Sequence, residues 1–237
     1  MDVHRPKPIH RWKDLAKEVG IIVLGVLIAL AGEQMMETLR WRQLVAEQRV
    51  ALKDELTTDA EAFYERAAIG GCLDARIAAV ETALAASGGT WKAQAFFGDA
   101  ARREAYRAPW RSFPSQAWQN ALASGAATHM PHNEAQAYEA VYLNVADMHQ
   151  MNTQEEIARL QLSDLERDVP LTDVSRDRYR KALDELKFYA SGMARLGEEG
   201  LQFLKPIGRL PPQKDLDSFM APDRRDFGAC VTAPDLR

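Results

Sequence analysis

Imidazole and thioether groups come closest to a reactive constellation in this 237-residue chain. His129-Met130-Pro131-His132 and Met148-His149-Gln150-Met151 place three of five histidines and three of eight methionines within 23 residues. Both side chains ligate copper, and oxidising compartments are where such sites occur. Spacing works against convergence, because a straight helix carries His149 about 27 Å from Pro131. Solvent-facing histidines and core-filling methionines are therefore expected, with no metal and no cofactor. The acidic pairs Glu155-Glu156 and Glu198-Glu199 are adjacent in sequence, so on a helix their members point in different directions. They read as solvated faces, not as a general acid and its base. The aromatic stretch from Trp91 to Trp118 reads as the cover over the end of a bundle, with a ligand groove as the alternative. No zinc-protease signature, nucleophile elbow, phosphate loop or dinucleotide fingerprint is present, and no enzyme activity is expected.

The elements that must position these residues start with an apolar run. Val19 to Gly32 contains no charge and spans about 21 Å as a helix; extension to residues 15–36 gives about 33 Å, enough for a bilayer core. Lys17, Glu18 and Glu33 then sit at the interfaces, where long side chains snorkel. Trp12 and Trp41 flank the span at headgroup depth. Arg5, Lys7, Arg11, Lys13 and Lys17 precede the run, whereas Glu33 and Glu37 follow it before the first arginine. The positive-inside rule puts the N-terminus in the cytoplasm and the remainder outside. A rival reading is a signal peptide cleaved after Ala29-Leu30-Ala31, opposed by the long leader with Asp2, Asp14 and Glu18. Gly25, Ala29 and Gly32 fall within about 60° of one another on the helix, a candidate contact face for a neighbouring membrane helix.

Lys and Arg total 30 and Asp and Glu 34. Residues 1–32 hold 5 of the basic and 3 of the acidic residues, so the exterior part is mildly acidic and nucleic acid is excluded as a partner. The two cysteines, Cys72 and Cys230, fall in the part expected in an oxidising compartment. A disulfide between them is the preferred reading over two unrelated thiols, and the chain-entropy model gives it about 5 kcal/mol.

The rest reads as all-α. Trp41, Val45, Leu52, Leu56 and Phe63 recur at steps of four and seven, the pattern of a nearly straight amphipathic helix. This stalk helix is expected to continue the membrane helix and stop at Gly70-Gly71. A shorter helix follows over 72–86, and Ser115 caps another carrying Trp118 and Leu122. A long helix is expected from Pro131 to about Asp168, with Tyr138, Val141, Val145, Met148 and Asn152 inward. The last begins at Ser175 and ends at Pro206. Gly197 and Gly200 on its inner face imply close approach of a neighbour. The expected organisation is a cytoplasmic 1–14, a transmembrane helix 15–36, an antiparallel helical bundle in the periplasm over 37–205 and an extended tail over 206–237.

Glu18 to Leu30, followed by Glu33-Gln34 and Trp41-Arg42, resembles the start of an uncharacterised bacterial family of single-pass membrane proteins with a helical periplasmic domain. Ser115 to Gly125, with Trp118 inside it, is similar to a second segment of that group, and Tyr138 and Tyr142 echo its tyrosine-rich helix. The resemblance implies a retained inner-membrane anchor and carries no activity, substrate or catalytic residue. The expected role is a membrane-anchored interaction or structural module, partnered by the bilayer and by a second copy or another inner-membrane protein. The alternative is a ligand- or stress-sensing periplasmic domain that signals through a membrane partner, since about 14 cytoplasmic residues are too few for an output domain.

Overall fold

The computed structural model describes residues 12–96, 103–208 and 210–234. The basic leader up to Arg11, as well as Phe97, lies outside the described residues. The chain is mostly helical: α1 Trp12–Ala86, α2 Gln116–Ala123, α3 His132–Leu160, α4 Asp173–Leu204, α5 Gln213–Phe219 and α6 Ala221–Phe227. Two-residue strands β1 Thr90–Trp91 and β2 Val169–Pro170 pair antiparallel. Residues 1–47 and 48–237 are two separate compact units.

In the first unit, α1 carries the apolar run with its side chains uncovered. From Val19 to Leu30 the large aliphatic residues are 51–72% exposed. Among the described residues this is the one helix long and apolar enough to cross a membrane.

In the second unit, α1 does not stop at Gly70-Gly71. Two mid-helix glycines cost about 1 kcal/mol each relative to alanine, but packing overrides that cost. A Cβ on Gly70 would lie 2.6 Å from Ala194 Cβ, so this glycine admits α4 rather than ending α1. The buried stripe of Leu52, Leu56 and Phe63 then runs on through Leu73, Ile77, Val80 and Leu84.

Side-chain pairings fix the helix directions. Arg49 meets Glu134, Glu55 meets Tyr142 and Arg66 meets Glu155, so α3 runs parallel to α1. Phe63 lies against Gly197 and Gly200, Asp74 meets Ser191 and Leu84 meets Arg176, so α4 runs antiparallel to α1. Directions are therefore mixed, and the bundle is not antiparallel throughout as expected. The close approach expected at Gly197 is present: a Cβ there would lie 2.5 Å from the Phe63 carbonyl oxygen.

α3 ends at Leu160, short of Asp168, because Leu162 and Leu165 turn inward on a 3-10 turn over Ser163–Glu166. The last long helix begins at Asp173, capped by Thr172. Thr172 Oγ1 accepts from the Ser175 N–H at 3.2 Å, and Ser175 Oγ accepts from the Thr172 N–H at 2.9 Å. Ser175 is thus the third helical residue of a reciprocal capping pair rather than the cap itself.

The tail is not extended. Pro212 and Pro222 stand at the starts of α5 and α6, positions where a missing N–H costs nothing. Leu216 and Met220 are completely buried. Cys72 and Cys230 form a disulfide with Cα atoms 5.4 Å apart, and the Thr232 N–H donates to the Ala68 carbonyl at 3.1 Å.

Candidate functional site

The unusual chemistry of the domain lies along one stretch of α1, where Glu55, Asp59, Glu65 and Arg66 occupy positions surrounded by other elements. Asp59, Glu65 and Arg66 are at most 1% exposed. Buried charge survives only where partners replace water, and each of these residues solves that differently.

Glu55 acts as the cap of α2. Its carboxylate accepts from the Ala117 N–H at 3.1–3.2 Å and from the Tyr142 hydroxyl at 2.8 Å. Ser115, expected to cap this helix, makes no side-chain cap bond. A carboxylate delivered from another helix does the same work and adds a favourable charge at the helix start. Trp118 stacks on Tyr142 with ring centroids 5.8 Å apart. Burial, followed by the hydrogen bond to Glu55, pushes the Tyr142 phenol far above its ordinary range.

Asp59 lies one turn further along and finds no donor for either carboxylate oxygen. Burial and then the Glu55 charge push its carboxyl up to about 8. The group is a neutral acid at neutral pH.

Arg66 and Glu155 form a buried ion pair, 1% and 3% exposed. The Tyr106 hydroxyl donates to the other oxygen of Glu155 at 2.6 Å. Burial disfavours the guanidinium charge, but Glu155 more than restores it and holds Arg66 charged. Burial, and then Glu155, push the Tyr106 phenol well up, so it stays a donor. Beside this triad, Arg111 donates to Glu65 through Nε at 2.8 Å and Nη2 at 2.5 Å. Its backbone carbonyl accepts from Asn152 Nδ2 at 3.1 Å.

Chemically, this seam holds charges in fixed register, and the described residues that form it include no serine, histidine or thiol. Among the described residues no group of three or more His, Cys, Asp or Glu side chains is placed to hold a metal. His132 and His149 are exposed, whereas Met148 is fully buried and Met130 is 7% exposed. Gly25, Ala29 and Gly32 lie on an exposed face of α1, and a Cβ on Gly25 or Gly32 would meet nothing within 4 Å.

Glu155 corrects the sequence reading: it is not on a solvated face but at the centre of the seam. Its signal was its phase, three residues beyond Asn152 on the inward stripe of α3. Glu156 does face outward and pairs with Arg159 at 2.6 Å, and Glu199 pairs with Arg195 at 2.7 Å. The aromatic stretch divides likewise. Trp91, Tyr106, Phe113 and Trp118 are buried, and Trp91 Nε1 donates to the Leu165 carbonyl at 2.8 Å. Trp110 is 56% exposed and lines a cleft of about 240 Å³ between the 107–111 segment and α6. No family model, curated protein or solved structure matches the chain.

Proposed function

We propose that the protein is a single-pass inner-membrane protein whose helical domain stands in the periplasm and serves as an interaction or structural module. Residues 15–36 of α1 span the bilayer, with the N-terminus cytoplasmic. The supporting observation is the uncovered apolar stretch of α1, whose aliphatic side chains from Val19 to Leu30 are more than half exposed. Nine such side chains in water forgo on the order of 10 kcal/mol of burial, and lipid supplies it. The disulfide between Cys72 and Cys230 suits an oxidising compartment, and the bacterial family that the N-terminal segment resembles has the same layout. Gly25, Ala29 and Gly32 give a second copy, or another membrane protein, a face for close approach. The chemistry of the seam favours a non-catalytic role.

Membrane fractionation, intact mass and a C-terminal alkaline phosphatase fusion test the topology. The expected result is full-length protein retained in alkali-washed membranes, with an active fusion. An N-terminus beginning at Gly32 would refute the anchor, and an inactive fusion would refute the orientation. Crosslinking in cells followed by mass spectrometry tests the role: a dominant partner, or a second copy, supports a module, and neither would refute it. The sensing alternative draws support from Asp59, a buried acid poised near neutrality, and predicts a crosslinked membrane partner whose yield changes with external pH.

A further inference from the structure

The small face of Gly25, Ala29 and Gly32 does not end with the membrane segment. Met36, Leu39, Gln43 and Ala46 continue it in alternating steps of four and three, so one stripe runs along α1 with a strict seven-residue repeat. Every position on it is exposed. Met36 and Leu39 are 65% and 50% exposed, and a Cβ on Gly25 or Gly32 would meet nothing within 4 Å. Val45, which is buried, lies about 160° round the helix from the middle of the stripe. In the proposed span, lipid accounts for the exposure only as far as residue 36; Leu39, Gln43 and Ala46 lie beyond it.

We propose that α1 pairs with α1 of a second copy of this chain, parallel and in register, along this stripe from Gly25 to Ala46. The proposal rests on the anchor reading, because two copies inserted with one orientation bring their helices together parallel. A seven-residue repeat drifts about 20° per heptad on a straight helix, and a left-handed supercoil of two helices removes that drift. Glycine and alanine let the backbones approach closely inside the bilayer, and Met36 and Leu39 interlock at its edge. Charge favours a second copy as the occupant. In a parallel pair the residues flanking the stripe meet five positions apart: Ile28 meets Glu33, Met35 meets Arg40 and Arg42 meets Glu47 of the other copy. No like charges come together, and by symmetry the Arg42–Glu47 attraction forms twice. Glu47 Oε1 accepts from Gln43 Nε2 of its own chain at 2.9 Å, which leaves the other oxygen for Arg42. Gln43 is the polar member of the stripe, and a single polar residue at such a position specifies register. In register its amide meets the same amide of the other copy, whereas a slip of one heptad sets it against Met36.

Single cysteines in the full-length protein test the pairing, in native membranes under limiting oxidation, read by non-reducing gels and mass spectrometry. The expected result is a disulfide-linked homodimer, at doubled mass, for Leu39→Cys and for Ala46→Cys. Thr38→Cys faces away from the stripe and should give a yield about tenfold lower, since a disulfide needs Cα atoms within about 7 Å. Arg42→Glu should weaken association, read as the Leu39→Cys dimer yield, by roughly 2- to 30-fold, and adding Glu47→Arg should restore it. Equal yields at positions 38, 39 and 46 would overturn the inference, as would crosslinks to a different protein or a charge reversal without effect. Alkali-washed membranes from the same cells separate the two readings. Retained protein with no preference for the stripe overturns the pair and leaves the anchor standing, whereas released protein overturns both.

Discussion

Replacing Asp59 with asparagine should stabilise the domain, and by more as pH rises. In the native state the Asp59 carboxyl is fully buried, lacks a donor on either oxygen, and faces Glu55 on its own helix and Tyr142 on α3. Its affinity for a proton is therefore raised from the ordinary 3.8 to about 8. Between those values the native state holds a proton that the unfolded chain has released, so stability falls as pH increases, with a slope of about −1.4 kcal/mol per pH unit from this one group. Its contribution is complete below the unfolded value and is lost as pH rises to the folded one, about 5 kcal/mol across the whole window. Asparagine mimics the neutral acid without titrating. The variant should exceed the wild type by about 1–2 kcal/mol near pH 5 and by about 5 kcal/mol near pH 8. For a domain of this size the larger figure corresponds to roughly 10–20 °C in melting temperature. Thermal and urea unfolding of the full-length protein in micelles, followed by circular dichroism across that range, would measure both. Parallel pH profiles for the two proteins would refute the reasoning, because they would mean that Asp59 is ionised in the native state.

Other perturbations follow from the same packing. Gly197→Ala forces a methyl to within 2.5 Å of the Phe63 carbonyl oxygen and should cost about 1–3 kcal/mol in chemical unfolding. Glu155→Ala strands the buried Arg66 charge and the Tyr106 hydroxyl, a loss of about 3–5 kcal/mol; adding Arg66→Met should recover most of it, which a double-mutant cycle would read. Cys230→Ser should cost about 2–5 kcal/mol and raise hydrogen exchange first in α5 and α6, the helices that the disulfide ties to α1. Ser115→Ala should leave stability within about 0.5 kcal/mol, whereas Glu55→Ala should destabilise α2 by about 1–2 kcal/mol through its lost cap.

What could be read in the sequence was whatever repeats with a helical period. The inward stripes of α3 and α4, the close approach at Gly197 and Gly200, and the uncovered apolar run of α1 are all patterns over one helix. Failures came where a distant residue decided the outcome. Gly70-Gly71 has the local signature of a helix end, but Ala194, far along the chain, makes the absent side chain an advantage. Ser115 has the local signature of a cap, but Glu55 takes the role from another helix. The proline-rich tail looked unable to form helices; its prolines stand at helix starts, where they fit. Glu155 was hidden for a different reason, since charge implies solvent unless a partner is known, and neither Arg66 nor Tyr106 is near it in sequence.

The order of elements also dictates when this domain can finish folding. The core face of α1 between Phe63 and Arg66 is covered by partners that emerge late: Arg111 is 46 residues from Glu65, Glu155 is 89 residues from Arg66, and Gln213 is 149 residues from Tyr64. A nascent chain therefore carries a long helix with unpaired arginine and carboxylates on its apolar side until the 107–111 segment and α3 arrive. At typical synthesis rates of about 5–20 residues per second, that exposure lasts on the order of 10 s or more. The contacts are of high sequence separation, which predicts slow closure even after release. The last crosslink, between residues 158 positions apart, then locks an arrangement assembled only once nearly the whole chain has emerged.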